Sequence, residues 1–442
     1  MSATGRANRF RYAGHDLDAA TGTLTCRYTL DDRSFVERME LGQGEWTTPW
    51  AAEAARLVYL LAGVSYYKTG APLLVEIDVG VRPGELALVH DFYTKGLGEF
   101  AYRNRLDLSG LEVRAEVGDA APSGYSPGGE RPLVPFGGGI DSIVTVETVK
   151  RDRPNASLFV VSPPTAPFAA IEQVVPVTGL PVVGVVRHLD PQLLEPPEGT
   201  GFLQGHVPVT GILTALAVLA ATGLGYDAVV MSNEWSASSG NLVVDNQVVN
   251  HQYSKSREFE AAFAGVVARA LGARPRVFSL LRPYTEVWVA ERFARLTRYH
   301  GVFHSCNRAF TIEVSRRLER WCGECDKCCF IDLVLAPFLP RVELESIFDG
   351  REPLSRPELF DRFAILVGLS PDPKPFECVG EVNECRAVAA LAAERGDRRD
   401  DELLQRLAAE LPSVTPADVA RLLAPHDPHD IPDDFTTENL LV

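Results

Sequence analysis

The chain has 442 residues, a length that favours two or three domains over a single core. Its hydrophobic fraction of 46% and charged fraction of 23% are typical of a globular protein in water. The net charge of −16 disfavours a nucleic-acid partner, because a phosphate backbone requires a basic surface. The N-terminus has no apolar signal core, and the longest apolar run, near residues 211–221, is too short to cross a bilayer. Composition therefore predicts a cytoplasmic protein that binds neither membrane nor nucleic acid.

The first part of the chain, residues 1–116, is interpreted as an N-terminal α+β domain. Short alternating runs between turn signals predict its strands, and an apolar-rich stretch predicts a helix. Residues 117–132 are rich in Gly, Pro and Ser and are predicted to be a linker. The predicted elements of the N-terminal domain are strands at 8–12, 24–30, 73–79 and 86–90 and a helix at 50–61.

Strand and helix signals alternate through residues 133–340. Continuous apolar strands between helices predict a doubly wound parallel sheet of the α/β class, with ligands beyond the carboxyl ends of its strands. Residues 341–442 are predicted to form a C-terminal helical region. In the central domain, strands are expected at 157–161, 181–186, 228–231 and 276–280, and helices at 166–174, 206–222, 256–271 and 285–297. A further helix is expected to open at the Asp-Ser pair of residues 141–142 and to run to about residue 151.

A triple glycine follows the first strand of this central domain, in the run Leu-Val-Pro-Phe-Gly-Gly-Gly-Ile-Asp-Ser that ends at Ser142. Gly137, Gly138 and Gly139 let the backbone approach a ligand closely, and the free N–H groups of the turn and of the following helix favour an anion. Asp141 is a candidate magnesium ligand beside bound phosphates. The alternative is an ordinary strand-to-helix turn in which Asp141 and Ser142 serve the helix end.

The glycine run resembles the S-G-G-x-D-S loop of the PP-loop ATP pyrophosphatases, a superfamily that cleaves ATP between the α and β phosphates. It is neither a Walker sequence nor a dinucleotide fingerprint, because the Lys-Ser/Thr pair and the third spaced glycine are missing. The first serine of the PP-loop is Gly137 here, so one hydroxyl contact to phosphate is lost. The resemblance implies ATP and Mg²⁺ as cofactors.

Two polar loops follow predicted elements of the same sheet, at residues 232–241 and 250–256. Glu234 is a candidate magnesium ligand or base, and Lys255 a candidate for neutralising phosphate. His251 is equally consistent with a hydrogen-bonded structural histidine. Turn formation and helix capping are the alternative explanation for both loops.

Most of the eight cysteines lie between residues 306 and 329, within a module at 302–332. Cys306, Cys322, Cys325 and Cys328 have the C-x15-C-x2-C-x2-C spacing, which favours a tetrahedral structural zinc site. The same four thiolates would also suit an iron–sulfur cluster, and buried free thiols are the alternative. Further along, Cys378 precedes a glycine turn and is either a proton-transfer residue or a buried structural thiol.

Several segments together resemble the UDP-N-acetylmuramoyl-L-alanyl-L-glutamate epimerases of peptidoglycan synthesis, over most of the chain. The glycine loop and cysteine module also resemble the deazaguanine nitrile synthases, in which the long N-terminal unit and the segment around Cys378 are not expected. The segments that carry the epimerase resemblance are 65–68, 92–100, 136–142, 232–234, 250–255, 303–308, 322–328 and 376–380.

The epimerase resemblance implies that the L-Glu of UDP-MurNAc-L-Ala-L-Glu is inverted to D-Glu, with ATP consumed and AMP and pyrophosphate released. Inversion requires an acid and a base on opposite faces of Cα. The alternatives are a nitrile-forming or amidating enzyme acting on a small heterocyclic acid, a tRNA-thiolating enzyme, or a non-catalytic nucleotide sensor. Glycines 137–139 and Ser142 are expected at the pyrophosphate, Asp141 at magnesium and Lys255 at developing negative charge, and the candidates for proton transfer are His251, His304, Cys378 and Glu384.

Overall fold

The computed structural model describes residues 6–118, 124–244, 247–311 and 313–435. Its strands, numbered in chain order, are β1 (Phe10–Asp18), β2 (Thr23–Leu30), β3 (Arg33–Glu40), β4 (Leu74–Val81), β5 (Glu112–Val117), β6 (Pro132–Pro135), β7 (Ser157–Ser162), β8 (Val182–His188), β9 (Ala228–Met231), β10 (Leu242–Val244), β11 (Gln247–Val249) and β12 (Arg276–Ser279).

The helices alternate with these strands in the first two thirds of the chain and then follow one another to the end. They are α1 (Pro49–Ala62), α2 (Val64–Tyr67), α3 (Pro83–Thr94), α4 (Gly98–Asn104), α5 (Ile140–Asp152), α6 (Ala169–Glu172), α7 (Val175–Thr178), α8 (Pro191–Leu194), α9 (Val209–Leu224), α10 (Arg257–Leu271), α11 (Glu286–Ala294), α12 (Asp326–Leu335), α13 (Arg341–Ile347), α14 (Phe360–Leu366), α15 (Val382–Ala393), α16 (Glu402–Glu410) and α17 (Pro416–Leu423).

One ten-stranded sheet runs through the molecule, in the order β12-β9-β6-β7-β8-β3-β2-β1-β4-β5. The five strands from β12 to β8 pair in parallel, whereas β8 pairs with β3 antiparallel, with Met39 opposite Arg187. The fold is therefore mixed α/β with a mainly parallel sheet. Because β3 hydrogen-bonds to β8, strands of the proposed N-terminal and central units belong to one sheet. The division at residues 117–132 stays a prediction.

Both faces of the parallel strands are covered, which explains why their sequences are continuously apolar. Successive side chains of a strand point to opposite faces. Accordingly, Leu133 and Val229 are buried in one apolar cluster with helices α1, α9 and α10. Their neighbours Val134 and Val230 are buried in a second cluster with helices α5, α11 and α12.

The predicted strand at 86–90 is wrong, because these residues lie within α3. Pro83 occupies the first turn of α3, where its missing N–H is not needed, and the Glu85 carboxylate accepts a hydrogen bond from the backbone N–H of Arg82. Strand β3 was not predicted, since only alternate side chains are buried and one of these, Glu37, is charged. No helix among the described residues is long and apolar enough to span a membrane.

Candidate active site and metal centre

The glycine turn lies between β6 and α5, at the carboxyl edge of the parallel strands. Gly138 has φ +76°, and a Cβ there would lie 2.7 Å from the carbonyl oxygen of Ala170, so only glycine fits. At Gly137 no heavy atom lies within 4 Å of the position a Cβ would take. The Ser142 hydroxyl donates to the carbonyl of Gly139 at 3.0 Å and so closes the turn. Contact with phosphate stays a prediction for this turn.

Three carboxylates converge beside this turn. Asp141, Glu234 and Glu286 each place an oxygen within 4.8 Å of the other two. They follow β6, β9 and β12, which are neighbours in the sheet and end at the same edge. Burial, then the adjacent Glu234 carboxylate, raise the pKa of Asp141 to about 7, and burial with repulsion from Asp141 raises the pKa of Glu286 well above its usual range. Asp141 Oδ1 and Glu286 Oε2 are buried without a hydrogen-bond partner among the described residues, so the donor set fits a divalent cation.

Arg282 ties the two polar loops together. Its guanidinium, which is fully buried, donates to the carbonyl oxygen of Glu234 at 2.8 Å and to that of Lys255 at 2.7 Å. It also pairs with the Glu260 carboxylate at 2.8 Å, so its charge is compensated inside the protein. The loops at 232–241 and 250–256 therefore meet at one place, as the prediction of a shared site requires.

A cluster of cations surrounds the thiol of Cys378. Lys255 Nζ lies 3.2 Å from Cys378 Sγ, His251 hydrogen-bonds the same thiol, and Lys327 Nζ donates to the carbonyl oxygen of Cys378. Burial alone would raise the pKa of this thiol. Lys255, His251 and Lys327 outweigh burial and lower it to about 6, so Cys378 is a thiolate at neutral pH.

The pKa values of His251 and Lys255, the two cationic partners of the thiol, shift upward, whereas that of Cys378 shifts downward. Burial disfavours the charged imidazolium, but hydrogen bonds from His251 to Cys378 and to Glu99 raise the pKa of His251 to about 9. Burial also opposes the charge of Lys255, and the negative charge of Cys378 and Glu234 more than compensates, so the pKa of Lys255 is raised. The cluster is thus a thiolate held between a protonated histidine and a protonated lysine.

The four cysteines of the predicted module form a compact tetrad. Their Sγ atoms all lie within 4.8 Å of one another, with separations of 3.9 Å for Cys306–Cys325, 3.6 Å for Cys322–Cys328 and 3.5 Å for Cys325–Cys328. A tetrahedral site with metal–sulfur bonds of about 2.3 Å has sulfur–sulfur edges of about 3.8 Å. The tetrad therefore has the geometry of a four-thiolate metal site.

Comparison with known families decides where the chain belongs. Residues 1–280 match the model of the MurL N-terminal domain, and residues 302–421 match that of the MurL C-terminal domain. The chain belongs to the MurL family.

Three relatives of this MurL-family chain carry the same name, UDP-N-acetyl-alpha-D-muramoyl-L-alanyl-L-glutamate epimerase. The relative from Xanthomonas oryzae pv. oryzae is 39% identical over 96% of this chain and 95% of its own length. Those from Salinispora tropica and a Micromonospora species are 37% and 35% identical, over 92% and 97% of this chain and 90% and 96% of their own lengths. The resemblance inferred from sequence motifs is confirmed.

Within this MurL fold, the four candidates for proton transfer lie at three separate places. His251 and Cys378 lie together, whereas Glu384 is a helix cap: its carboxylate accepts hydrogen bonds from the Ser236 hydroxyl at 2.7 Å and from the backbone N–H groups of Glu286 at 2.9 Å and Glu381 at 2.6 Å. The fourth candidate, His304, is buried with its ring centroid 5.0 Å from that of Trp321 in the cysteine module.

Sequence reasoning missed three charged residues of the site. Glu286 is the first residue of α11, which follows β12. The predicted end of that strand was the signal that could have identified this residue. Lys327 lies between Cys325 and Cys328 of the tetrad, in a segment that sequence reasoning considered only for its cysteines. Glu99 entered the sequence analysis only as part of the resemblance segment 92–100, and it hydrogen-bonds His251, which is 152 residues away in the chain.

Proposed function

We propose that this chain inverts the terminal L-Glu of UDP-MurNAc-L-Ala-L-Glu to D-Glu in an ATP-dependent reaction of peptidoglycan precursor synthesis. The observation that carries this proposal is the near-complete coverage of three relatives that are named for this epimerisation. The convergence of the glycine turn, three carboxylates and a thiolate at one edge of the sheet supports it. An ATP-dependent reaction on a UDP-linked precursor would take place in the cytoplasm.

ATP would bind at the glycine turn. The parallel strands have the order β8-β7-β6-β9-β12, which is 3-2-1-4-5 in chain order and supports a nucleotide-binding fold of PP-loop type. Backbone N–H groups of the turn and of the first turn of α5 are suited to the pyrophosphate end. Asp141, Glu234 and Glu286 would hold Mg²⁺, which supplies positive charge against the phosphate oxygens when it is bound.

Adenylation has a chemical purpose in such a reaction. Removing the Cα proton beside an ionised carboxylate would place a second negative charge next to the first. Transfer of the adenylyl group to the carboxylate releases pyrophosphate and forms an acyl-adenylate, in which the acyl group carries no charge. The Cα proton is then acidic enough for a side-chain base to remove. Return of a proton to Cα from the opposite face gives the D configuration, and hydrolysis then restores the carboxylate and releases AMP.

The thiol cluster supplies a base of suitable strength. Cys378 is a thiolate at neutral pH, lies at the site edge and has a protonated partner on each side. It would take the Cα proton, while Lys255 stabilises the negative charge that develops on the acyl oxygen. His251, protonated beside the thiolate, would keep Cys378 in the ionised form that can accept this proton.

The cysteine tetrad would hold a structural Zn²⁺ ion, consistent with its four-thiolate donor set. Lys327 lies between the ligands Cys325 and Cys328 in the first turn of α12. Zinc would therefore fix the segment that brings Lys327 to the Cys378 carbonyl, in addition to stabilising the C-terminal part of the fold.

The test is a reconstituted reaction with purified protein, ATP, Mg²⁺ and UDP-MurNAc-L-Ala-L-Glu. AMP is quantified, and the chirality of glutamate is determined after acid hydrolysis. We expect D-Glu only when ATP is present, together with AMP. AMP without D-Glu would preserve the adenylating site and refute the epimerisation, whereas the absence of both products would refute the proposed function.

A further inference from the structure

Glu99 lies on α4, far in sequence from Cys378, and its side chain is buried against His251. Its Oε2 lies 2.5 Å from His251 Nδ1, and its Oε1 accepts a hydrogen bond from Arg103 Nε at 2.6 Å. The carboxylate is 7% exposed, so solvent contributes little to holding it in place. Both carboxylate oxygens are therefore committed, one to its own helix and one to the histidine.

Three side chains interact in succession: the Glu99 carboxylate with the His251 imidazole, and the imidazole with the Cys378 thiol. His251 is bonded through Nδ1 to Glu99 and also hydrogen-bonds Cys378. The backbone of His251 is fixed as well, because its N–H donates to Asn241 Oδ1 at 2.8 Å. With both backbone and ring anchored, His251 has little freedom to turn away from the thiol.

A second histidine shows that the pairing is selective. The ring centroid of His206 lies 4.1 Å from that of His251, so two imidazolium charges would repel one another strongly. Glu99 bonds His251, and burial followed by repulsion from His251 lowers the pKa of His206 to about 3. The proton is thus placed on the histidine that contacts Cys378.

Glu99, His206 and His251 also have the composition of a metal site, since one ligand atom of each lies within 4.8 Å of the others. The bonding argues against that use. His251 Nδ1 and both oxygens of Glu99 already have partners, and a metal ion would have to break these hydrogen bonds. A hydrogen-bonded relay explains all of these contacts.

We infer that Glu99 is a positioning residue, which fixes the ring of His251 so that the imidazole serves Cys378. This inference rests on the proposed role of Cys378 in epimerisation and adds the group that organises it. The carboxylate of a catalytic triad acts in the same way, by holding the tautomer and stabilising the charged imidazole. Glu99 itself contacts neither the thiol nor the glycine turn.

The charged and titratable groups around Cys378 and His251 all affect how the ionisation of the thiol depends on pH. The charged and titratable groups that face Cys378 are Lys255, Lys327, His251, Asp141 and Glu377, and those that face His251 are Glu99, Cys378, His206 and Glu377. Apart from Glu99, these groups are retained in the variants below, so a change in the thiol can be assigned to the carboxylate.

The experiment measures alkylation of Cys378 by iodoacetamide as a function of pH, without substrate or ATP, with the modified peptide quantified by mass spectrometry. The wild-type rate is expected to rise with a midpoint near the thiol pKa of about 6. In Glu99→Gln the imidazolium loses its anionic partner, so the midpoint should rise by about one unit, which lowers the rate at pH 6.5 about threefold.

Glu291→Gln is the matched control, because Glu291 also pairs with an arginine four residues later on a helix but does not contact His251. It should leave the midpoint unchanged. Glu99→Asp keeps the charge and shortens the side chain, so a smaller shift in the same direction is expected, and this variant decides the matter if Glu99→Gln does not fold. An unchanged midpoint in the folded variant would overturn the inference even if epimerisation is confirmed. A shifted midpoint would support it even if the epimerase assay fails.

Discussion

Replacing Lys255 by methionine removes the ammonium group that lies 3.2 Å from the Cys378 thiol and keeps a side chain of similar length. At that distance and an effective dielectric constant of about 20, two full charges interact by about 5 kcal/mol, which is an upper bound for the effect on the thiolate. His251 and Lys327 remain, so we expect about half of this energy to be lost.

A loss of that size would raise the pKa of Cys378 from about 6 to about 8. The sign follows from the charge: without the lysine the thiolate is less stable, and a higher pH is needed to form it. At pH 7 the thiolate fraction would fall from about 90% to about 10%, so alkylation of the thiol should slow about tenfold. The rising limb of the epimerisation rate with pH should move upward by the same amount.

The assay is the pH dependence of Cys378 alkylation, followed by kcat/KM for D-Glu formation between pH 5.5 and pH 9. Lys95→Met is the control, because Lys95 is half-exposed and pairs with Asp91 and Glu258 away from the thiol. If Lys255→Met alkylates with the wild-type midpoint, the lysine does not stabilise the thiolate and the reasoning from the 3.2 Å contact is refuted.

Three further predictions concern the nucleotide site, the glycine turn and the cysteine tetrad. Asp141→Asn should abolish release of AMP and pyrophosphate, and retained release would remove this residue from the magnesium site. Gly138→Ala should lower the free energy of unfolding by about 1–3 kcal/mol in denaturant titrations, because of its positive φ and the close Ala170 carbonyl, whereas Gly137→Ser should change it by less than about 0.5 kcal/mol. One zinc per chain is expected by elemental analysis, lost in Cys325→Ala and kept in Cys329→Ala; wild-type protein without zinc would refute the tetrad as its site.

Much of the local structure could be predicted from the sequence. The strand at Ala228–Met231 has the predicted bounds, and the helix expected at 256–271 begins one residue later. Spacing was sufficient in the cysteine module, since a C-x2-C turn brings its own two sulfurs together. The failure at 86–90 has a local cause, because an apolar run of that length fits a strand and a buried helix equally well.

The pairing of the two halves of the sheet could not be predicted. Strand β3 joins β8 across about 150 residues, and nothing in the residue pattern of β3 indicates that partner. The same limit applies to Arg282, which a sequence shows only as one arginine after a strand. Its burial between two loops is known only when those loops have been placed.

The sequence by itself determined the features whose chemistry depends on near neighbours: the glycine turn with Asp141, the cysteine spacing, the alternation of strand and helix, and a set of family motifs. Tertiary structure decided which charged groups meet. The bond from Glu99 to His251 spans 152 residues and that from Lys255 to Cys378 spans 123, and neither distance is encoded in any spacing. A thiol becomes a thiolate through the charges packed around it, and only the folded chain brings those charges together.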